Sequence, residues 1–321
     1  MTIAELMLAR IRTASAFCVL AALINAPAVG VRASEFLHSN DVVCFLGGAN
    51  VVAAQEYGYL ETILRMKFPN LNLRFRSLAH EGDTVFEQPR DYNYPAIAKQ
   101  LDQTGATVVI CYFGQTEALQ GTNHLQEFAV AYEKLLETSR NRRLVVVSPF
   151  VFEPSKAPLP DLSLRNRDLL AYFGAIEELA QKHGWTFVNL NQGKAKRFAP
   201  LTSDGLHLTA YGHLFYDSAI AAQLGATSAR MLWANPTTGA LSLPLWEQTR
   251  QRVLAKNRLW FAYYRPMNWA FLGGDRTDQP SSRDHRDPKI RWFPDEMKRF
   301  VPLLEREEDE IGKLAAAGAG R

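Results

Sequence analysis

Asp204 and His207 stand three residues apart in Asp204-Gly205-Leu206-His207. At that spacing a carboxylate in the same loop can hold the imidazole Nδ1–H and leave Nε2 free as a general base. A second reading stays open on these residues alone: a plain Asp-Gly turn leading to a helix capped by Thr209, with His207 packed on the surface. Three other blocks combine glycine with polar side chains, namely Gly47-Gly48-Ala49-Asn50, His80-Glu81-Gly82-Asp83-Thr84 and Gly114-Gln115-Thr116-Glu117. His80, Glu81, Asp83 and His207 are metal-ligand types, but their spacing matches no specific metal motif, so no metal and no cofactor is expected. Glu117 reads more simply as a partner for the glycine loops, and His285 in Asp284-His285-Arg286-Asp287 as a solvated side chain.

The elements that must position these blocks are legible between Asn40 and Gly225. Short apolar runs at 42–46, 71–76, 107–113, 144–148 and 186–190 alternate there with segments of helical period. This is the pattern of an α/β fold, a doubly wound, five-stranded parallel sheet with helices on both faces in three layers. Leu60, Ile63, Leu64 and Phe68 keep helical spacing before a Pro69-Asn70 stop, as do Leu125, Phe128, Ala129, Tyr132 and Leu136, and a third helix over 164–183 ends at Gly184. Each block follows a different strand, and in such a sheet ligands bind outside the carboxyl ends of the strands. The four blocks therefore converge on one edge. The segment 150–163, stiffened by Pro154, Pro158 and Pro160, is a natural wall or lid for a site there.

After Gly225 the alternation stops, and an amphipathic helix at 245–260 leads into an aromatic run at 260–272. This reads as an extension rather than a second sheet. Trp260, Phe261, Tyr263, Tyr264, Trp269 and Phe271 are too many aromatics to leave solvated, so they are expected to bury against the main body. The mixed-charge segment 276–292 reads as a salt-bridged loop packed on that body, and 305–321 as a frayed tail.

Composition bounds the function class. The 321 residues are 47% hydrophobic and 21% charged, enough for a sizeable core. Residues 1–33 read as an export signal: Arg10 and Arg12 precede an apolar run at 14–24 too short to span a bilayer, and Val31-Arg32-Ala33 fits cleavage before Ser34. Removing its three Arg and one Glu leaves 33 basic against 32 acidic residues, so there is no electrostatic case for nucleic acid or an acidic membrane surface. No other stretch is long enough to cross a membrane, and the mature protein is expected outside the cytoplasm, periplasmic or secreted. Its two remaining cysteines, Cys44 and Cys111, lie in apolar strands and are expected to be buried free thiols.

The order Gly47, Gly82, Gly114 and Asp204-x-x-His207 resembles the SGNH hydrolases, the Gly-Asp-Ser-Leu esterase and lipase superfamily, over about 41–224. That resemblance implies a flavodoxin-like sheet, Asp204 and His207 as catalytic acid and base, and Gly82 as an oxyanion-hole backbone donor. Gly114-x-Thr116-Glu117 then stands where the family has Gly-x-Asn-Asp or Gly-x-Asn-Glu, and Gly47-Gly48-Ala49 where it has Gly-Asp-Ser. The tail with Tyr263-Tyr264-Arg265-Pro266 and Asn268-Trp269 resembles that of an exported subgroup of planctomycete and verrucomicrobial kind.

Two positions depart from the family. Ala49 has no hydroxyl to attack a carbonyl, and Thr116 replaces the oxyanion asparagine. Losing a serine nucleophile costs about six orders of magnitude in turnover, and an oxyanion donor about 3–4 kcal/mol more. The expectation is an exported protein with a signal at 1–33, a hydrolase-type domain at 34–225 and a helical extension at 226–321. It would act on a small-molecule or carbohydrate ester, with His207 activating water and the Gly82 and Ala49 N–H groups receiving the oxyanion. The alternative is a non-catalytic module that binds a sugar or acyl ligand through groups such as Asn50, Thr116 and Glu117.

Overall fold

The computed structural model describes residues 36–192, 198–226 and 232–318. The expected export signal and its cleavage site lie outside the described residues. Five parallel strands, β1 (Val42–Gly47), β2 (Arg74–Ser77), β3 (Val108–Tyr112), β4 (Arg143–Val147) and β5 (Thr186–Val188), form one sheet in the order β2-β1-β3-β4-β5. All four pairings are parallel, with Val43 opposite Phe75 and Val108, and Val145 opposite Ile110 and Thr186. β2 starts later than the apolar run suggested. Pro69–Leu71 form a 3₁₀ turn and Asn72 takes a left-handed conformation (φ 48°), so extended backbone begins only beyond them.

Crossover helices connect the strands. α1 (Ala49–Tyr57) and α2 (Tyr59–Lys67) follow β1, α3 (Ile97–Thr104) follows β2, α4 (Leu125–Glu137) β3, α5 (Asn166–His183) β4 and α6 (Ala210–Gln223) β5. The period-two alternation of the strands splits the core into two layers. Val43, Phe45, Val108, Ile110, Val145 and Val147 pack under α1, α2 and α6. Cys44, Leu46, Val109, Cys111, Leu144 and Val146 pack under α3, α4 and α5. Each fully buried aliphatic or aromatic side chain contributes about 1.5–3 kcal/mol, so both faces of the three central strands hold the sheet in place. Both cysteines are free, and burial pushes the Cys44 thiol up to about 11.

The C-terminal extension comprises α7 (Pro244–Tyr264), α8 (Trp269–Leu272), α9 (Trp292–Lys298) and α10 (Phe300–Gly318). α7 runs along the edge strand β2 and caps its outward carbonyls. Lys256 Nζ donates to Phe75 O (3.2 Å), Trp260 Nε1 to Ser77 O (2.7 Å) and Tyr264 Oη to Leu78 O (3.2 Å). Lys256 and Trp260, at i and i+4, advance about 6 Å along one helix face, close to the two strand residues from Phe75 to Ser77, and Tyr264 one turn further meets Leu78 just past the strand's end. An edge that would otherwise pair with another chain is thereby closed. α7 outlasts the expected end at Trp260 because Tyr264 belongs to the same buried face, stacked on Trp260 at 5.5 Å.

Residues 305–318 are not a frayed tail. They belong to α10, whose Leu304, Glu307, Glu308, Ile311 and Ala315 are buried. Glu308 accepts from Arg76 at 2.6 Å and its carbonyl from Arg65 at 3.0 Å, beside a buried Lys256–Glu61 pair at 2.5 Å. Long-range charge pairing thus holds a helix that its local sequence leaves looking solvated. The aromatic run buries in part: Trp260 and Tyr264 are buried, Tyr263, Trp269 and Phe271 half-buried, and Phe261 exposed beneath the Arg265 guanidinium. In the mixed-charge loop Arg283 pairs with Asp278 at 2.7 Å, and Arg291 donates to Phe271 O and Leu272 O. Among the described residues no helix is long and apolar enough to cross a membrane.

Candidate active site

β1 turns into α1 through Gly47, where a Cβ would sit 2.5 Å from Val51 Cγ2 and 2.7 Å from Tyr112 O. Only glycine lets strand and helix approach so closely. Gly48 precedes the helix, so Ala49 and Asn50 fall in its first turn. The Asn50 amide is engaged at both ends: Nδ2 donates to Leu206 O and Oδ1 accepts from Leu208 N, both at 3.0 Å. It therefore ties the β1 turn to the Asp204–His207 loop and is not simply a polar contact offered to a ligand.

In that loop Asp204 Oδ2 lies 2.6 Å from His207 Nδ1, while Oδ1 accepts from the His207 and Leu206 N–H groups at 2.7 and 3.0 Å. Burial pushes the Asp204 carboxyl up, but these bonds outweigh it and hold it below the usual carboxylate range. The turn reading and the dyad reading are both present in the molecule, because Thr209 also caps α6 by accepting from Gly212 N at 3.1 Å. Gly205 adopts φ +92°, and a Cβ there would lie 2.6 Å from Glu153 O.

The loop has a support that the sequence reading missed. Glu153 Oε2 accepts from Leu201 N (2.9 Å), Thr202 N (2.8 Å) and Thr202 Oγ1 (2.9 Å), and the Thr202 hydroxyl oxygen accepts from Gly205 N at 3.2 Å. The proline-rich segment after β4 is thus a buttress for the Asp204 loop, and it does not line the crevice described below. A lone carboxylate among prolines has no spacing signal that would have revealed this.

The other two blocks interlock. Glu117 is buried, with Oε2 accepting from Gly114 N and Oε1 from Val85 N, both at 2.9 Å, and burial raises its carboxyl above the ordinary value. It joins the block after β3 to the block after β2, as a positioning residue. Asp83 is bound by both terminal nitrogens of Arg90 (2.6 and 2.8 Å), and Glu81 by Arg265 (2.8 Å). These carboxylates answer guanidiniums rather than sharing a ligand. His80 is driven down to about 4 by burial and then by Arg90 and Arg265, so it is neutral at ordinary pH.

Ala49, Asn50, Thr116, Glu117 and His207 line one crevice of about 190 Å³ at the carboxyl ends of the strands. Gly82 is not itself in the lining, although its neighbours Glu81 and Asp83 are, and Gly48 packs against the Asp83 carbonyl. Asp204 lies outside the lining, bonded to the His207 ring. The His207 side chain is 53% exposed and open to solvent, and position 49 offers only a methyl group. The arrangement presents an oriented imidazole beside a space where water can sit.

The GDSL-like lipase/acylhydrolase family matches residues 46–214. No curated protein sequence matches the chain. Among solved structures, a gut microbial diltiazem-metabolizing enzyme superposes with TM-score 0.54 at 11% identity, covering 89% of this chain and 97% of that one. An alpha/beta hydrolase enzyme from the metagenome of Lake Arreo, Spain, gives TM-score 0.48 at 18% identity, over 60% of this chain and 99% of its own. An acetylxylan esterase of Geobacillus stearothermophilus, as a catalytic mutant, gives 0.44 at 16% identity, over 61% and 100%. The first of these likenesses shows a shared fold. The family match spans more than half the sequence, from the last residues of β1 into α6, and the chain belongs to the GDSL-like lipase/acylhydrolase family.

Proposed function

We propose that the crevice hydrolyses esters slowly, by direct attack of a water that His207 deprotonates. The observation that carries this reading is the Asp204 Oδ2–His207 Nδ1 contact of 2.6 Å in a loop held by Asn50 and Glu153. In this mechanism Asp204 fixes the ring, Nε2 takes the water proton, and the hydroxide adds to the acyl carbon. The backbone N–H of Ala49 receives the oxyanion, with Gly82, between the lining residues Glu81 and Asp83, as the second donor that the family pattern implies, and collapse expels the alcohol, which regains the proton from His207. Backbone donors survive the loss of a serine side chain, whereas covalent acyl transfer does not. Turnover should resemble what remains in serine hydrolases stripped of their nucleophile, about 10³–10⁴ over water.

The substrate class is an acyl or acetyl ester, on a carbohydrate in the reading we favour. The chain is exported, acts after cleavage before Ser34, and carries its site in the 34–225 domain. A survey of simple acyl esters and acetylated sugars, comparing the native chain with His207→Ala, tests the reading. A histidine-dependent rate supports water attack. Equal background rates, with retained affinity for the same compounds, support a binding module on this fold.

A further inference from the structure

Along the β2 edge, between α3 and the extension, lies a groove of about 740 Å³. Trp260, Tyr263, Tyr264 and Trp269 line it together with Arg74, Arg76 and Arg291. Tyr94 and Pro266 also line a second hollow of about 500 Å³ with His80, Arg90 and Arg265, so the two share a wall. This hollow borders the crevice, because Arg265 is bonded to the crevice residue Glu81. Aromatic surface thus runs from the sheet edge toward the crevice, with Trp269 packed on Tyr94 at 4.6 Å.

Arginines dominate the polar groups on this path, and two of them meet no carboxylate among the described residues. The N–H groups at Arg291 Nε and Arg90 Nε are buried without a hydrogen-bond partner. Arg74 and Arg291 pair with no carboxylate among the described residues, while Arg76, Arg90 and Arg265 answer Glu308, Asp83 and Glu81. The carboxylates in the lining are Asp91 and Glu305, and of its five arginines three are already paired with carboxylates outside it. The exposed Arg74 and half-buried Arg291 guanidiniums are the groups that a ligand bringing oxygen acceptors can meet.

We propose that this groove is a second binding site, for an acidic oligosaccharide. Rings such as Trp269 and Tyr263 lie under the apolar faces of the sugars, and the arginine N–H groups meet carboxylate or sulfate oxygens. Flat rings interleaved with donors suit a polyhydroxylated chain with an apolar face and an anionic edge. The proposal goes beyond ester hydrolysis and does not depend on turnover in the crevice.

Titration calorimetry on the full chain tests it with three probes of equal length: a galacturonate oligomer, a sulfated oligosaccharide and a neutral xylooligosaccharide. We expect at least one acidic probe to bind roughly tenfold or more tightly than the neutral one, with an affinity that falls as salt rises. Arg74→Ala and Trp269→Ala should each weaken that binding roughly fivefold or more. Arg74→Glu, on an exposed side chain, repeats the test if Trp269→Ala folds poorly. Preference for the carboxylated or the sulfated probe names the anion. Binding of neither acidic probe, equal binding of the neutral one, or affinities unchanged in the Arg74 variants would overturn the proposal.

Discussion

Asn50 and Leu206, 156 positions apart, are joined by a 3.0 Å hydrogen bond from the Asn50 amide to the Leu206 carbonyl. Because the same amide also receives Leu208 N, the turn after β1 and the histidine loop move as one piece. The geometry around position 49 therefore does not depend on a serine side chain, and a methyl group there leaves His207 where it is held.

Asn50→Ala should release this tie. A catalytic group displaced by about 1 Å can cost about a hundredfold in rate, and a buried N–H or C=O left unpaired about 1–3 kcal/mol. We expect His207-dependent hydrolysis to fall tenfold or more by these arguments, with a lower melting temperature, as read by steady-state rates and thermal unfolding. Unchanged rates would show that the loop is held without Asn50.

Ala49→Ser restores one hydroxyl at a turn already shaped by Gly47 and Gly48. Alone, and more so with Thr116→Asn, it should gain hydrolysis of small activated esters and labelling by serine-directed phosphonates, both lost on adding His207→Ala. The gain should fall well short of the ~10⁶ that a native nucleophile contributes, since supporting groups not built around a serine leave it imperfectly placed. A double variant that folds normally yet neither hydrolyses nor is labelled would mark the crevice as a binding site.

The extension closes the sheet edge, so its removal should be felt by the whole fold. Trp260→Phe leaves a smaller aromatic ring and deletes the donor to Ser77 O, a loss of at least about 1–3 kcal/mol in denaturant unfolding. Lys256→Met leaves the buried Glu61 carboxylate unpaired and should cost about 3–5 kcal/mol. Deleting 242–321 should give an insoluble or markedly less stable protein. A truncated chain that melts like the full one would show the extension to be independent.

Asp217, buried on α6, accepts one hydrogen bond from Leu60 N, and burial pushes its carboxyl from 3.8 up to about 7. A folded pKa raised above the unfolded value gives a contribution fully present below about 3.8 and lost as pH rises through about 7. Asp217→Asn removes that loss. Melting curves should show the variant gaining on the native chain between pH 4 and pH 8, and a constant gap across that window would refute the assignment.

Much of the candidate site was legible because each block follows a strand of a parallel sheet, and the topology alone carries Ala49, Thr116 and His207 to one edge. What escaped was support contributed from elsewhere in the chain. Glu153 reaches the Leu201–Thr202 backbone from a loop whose prolines suggested a lid. Glu308 reads as part of a frayed tail until β2 and α2 present Arg76 and Arg65 to it. Such pairings depend on which surfaces the fold brings together, and no local period encodes them. Gly82 illustrates the reverse case, where the resemblance named the residue but the crevice is lined by its neighbours.

The most direct measurement is hydrolysis of an activated acetyl ester by the native chain and by His207→Ala, with intact-mass analysis of the protein during turnover. Water attack predicts a slow, linear release of alcohol without a burst, no acyl adduct on the native chain, and a rate that drops to background in His207→Ala. A native rate equal to background, a rate indifferent to His207, or an accumulating acyl-enzyme would contradict it.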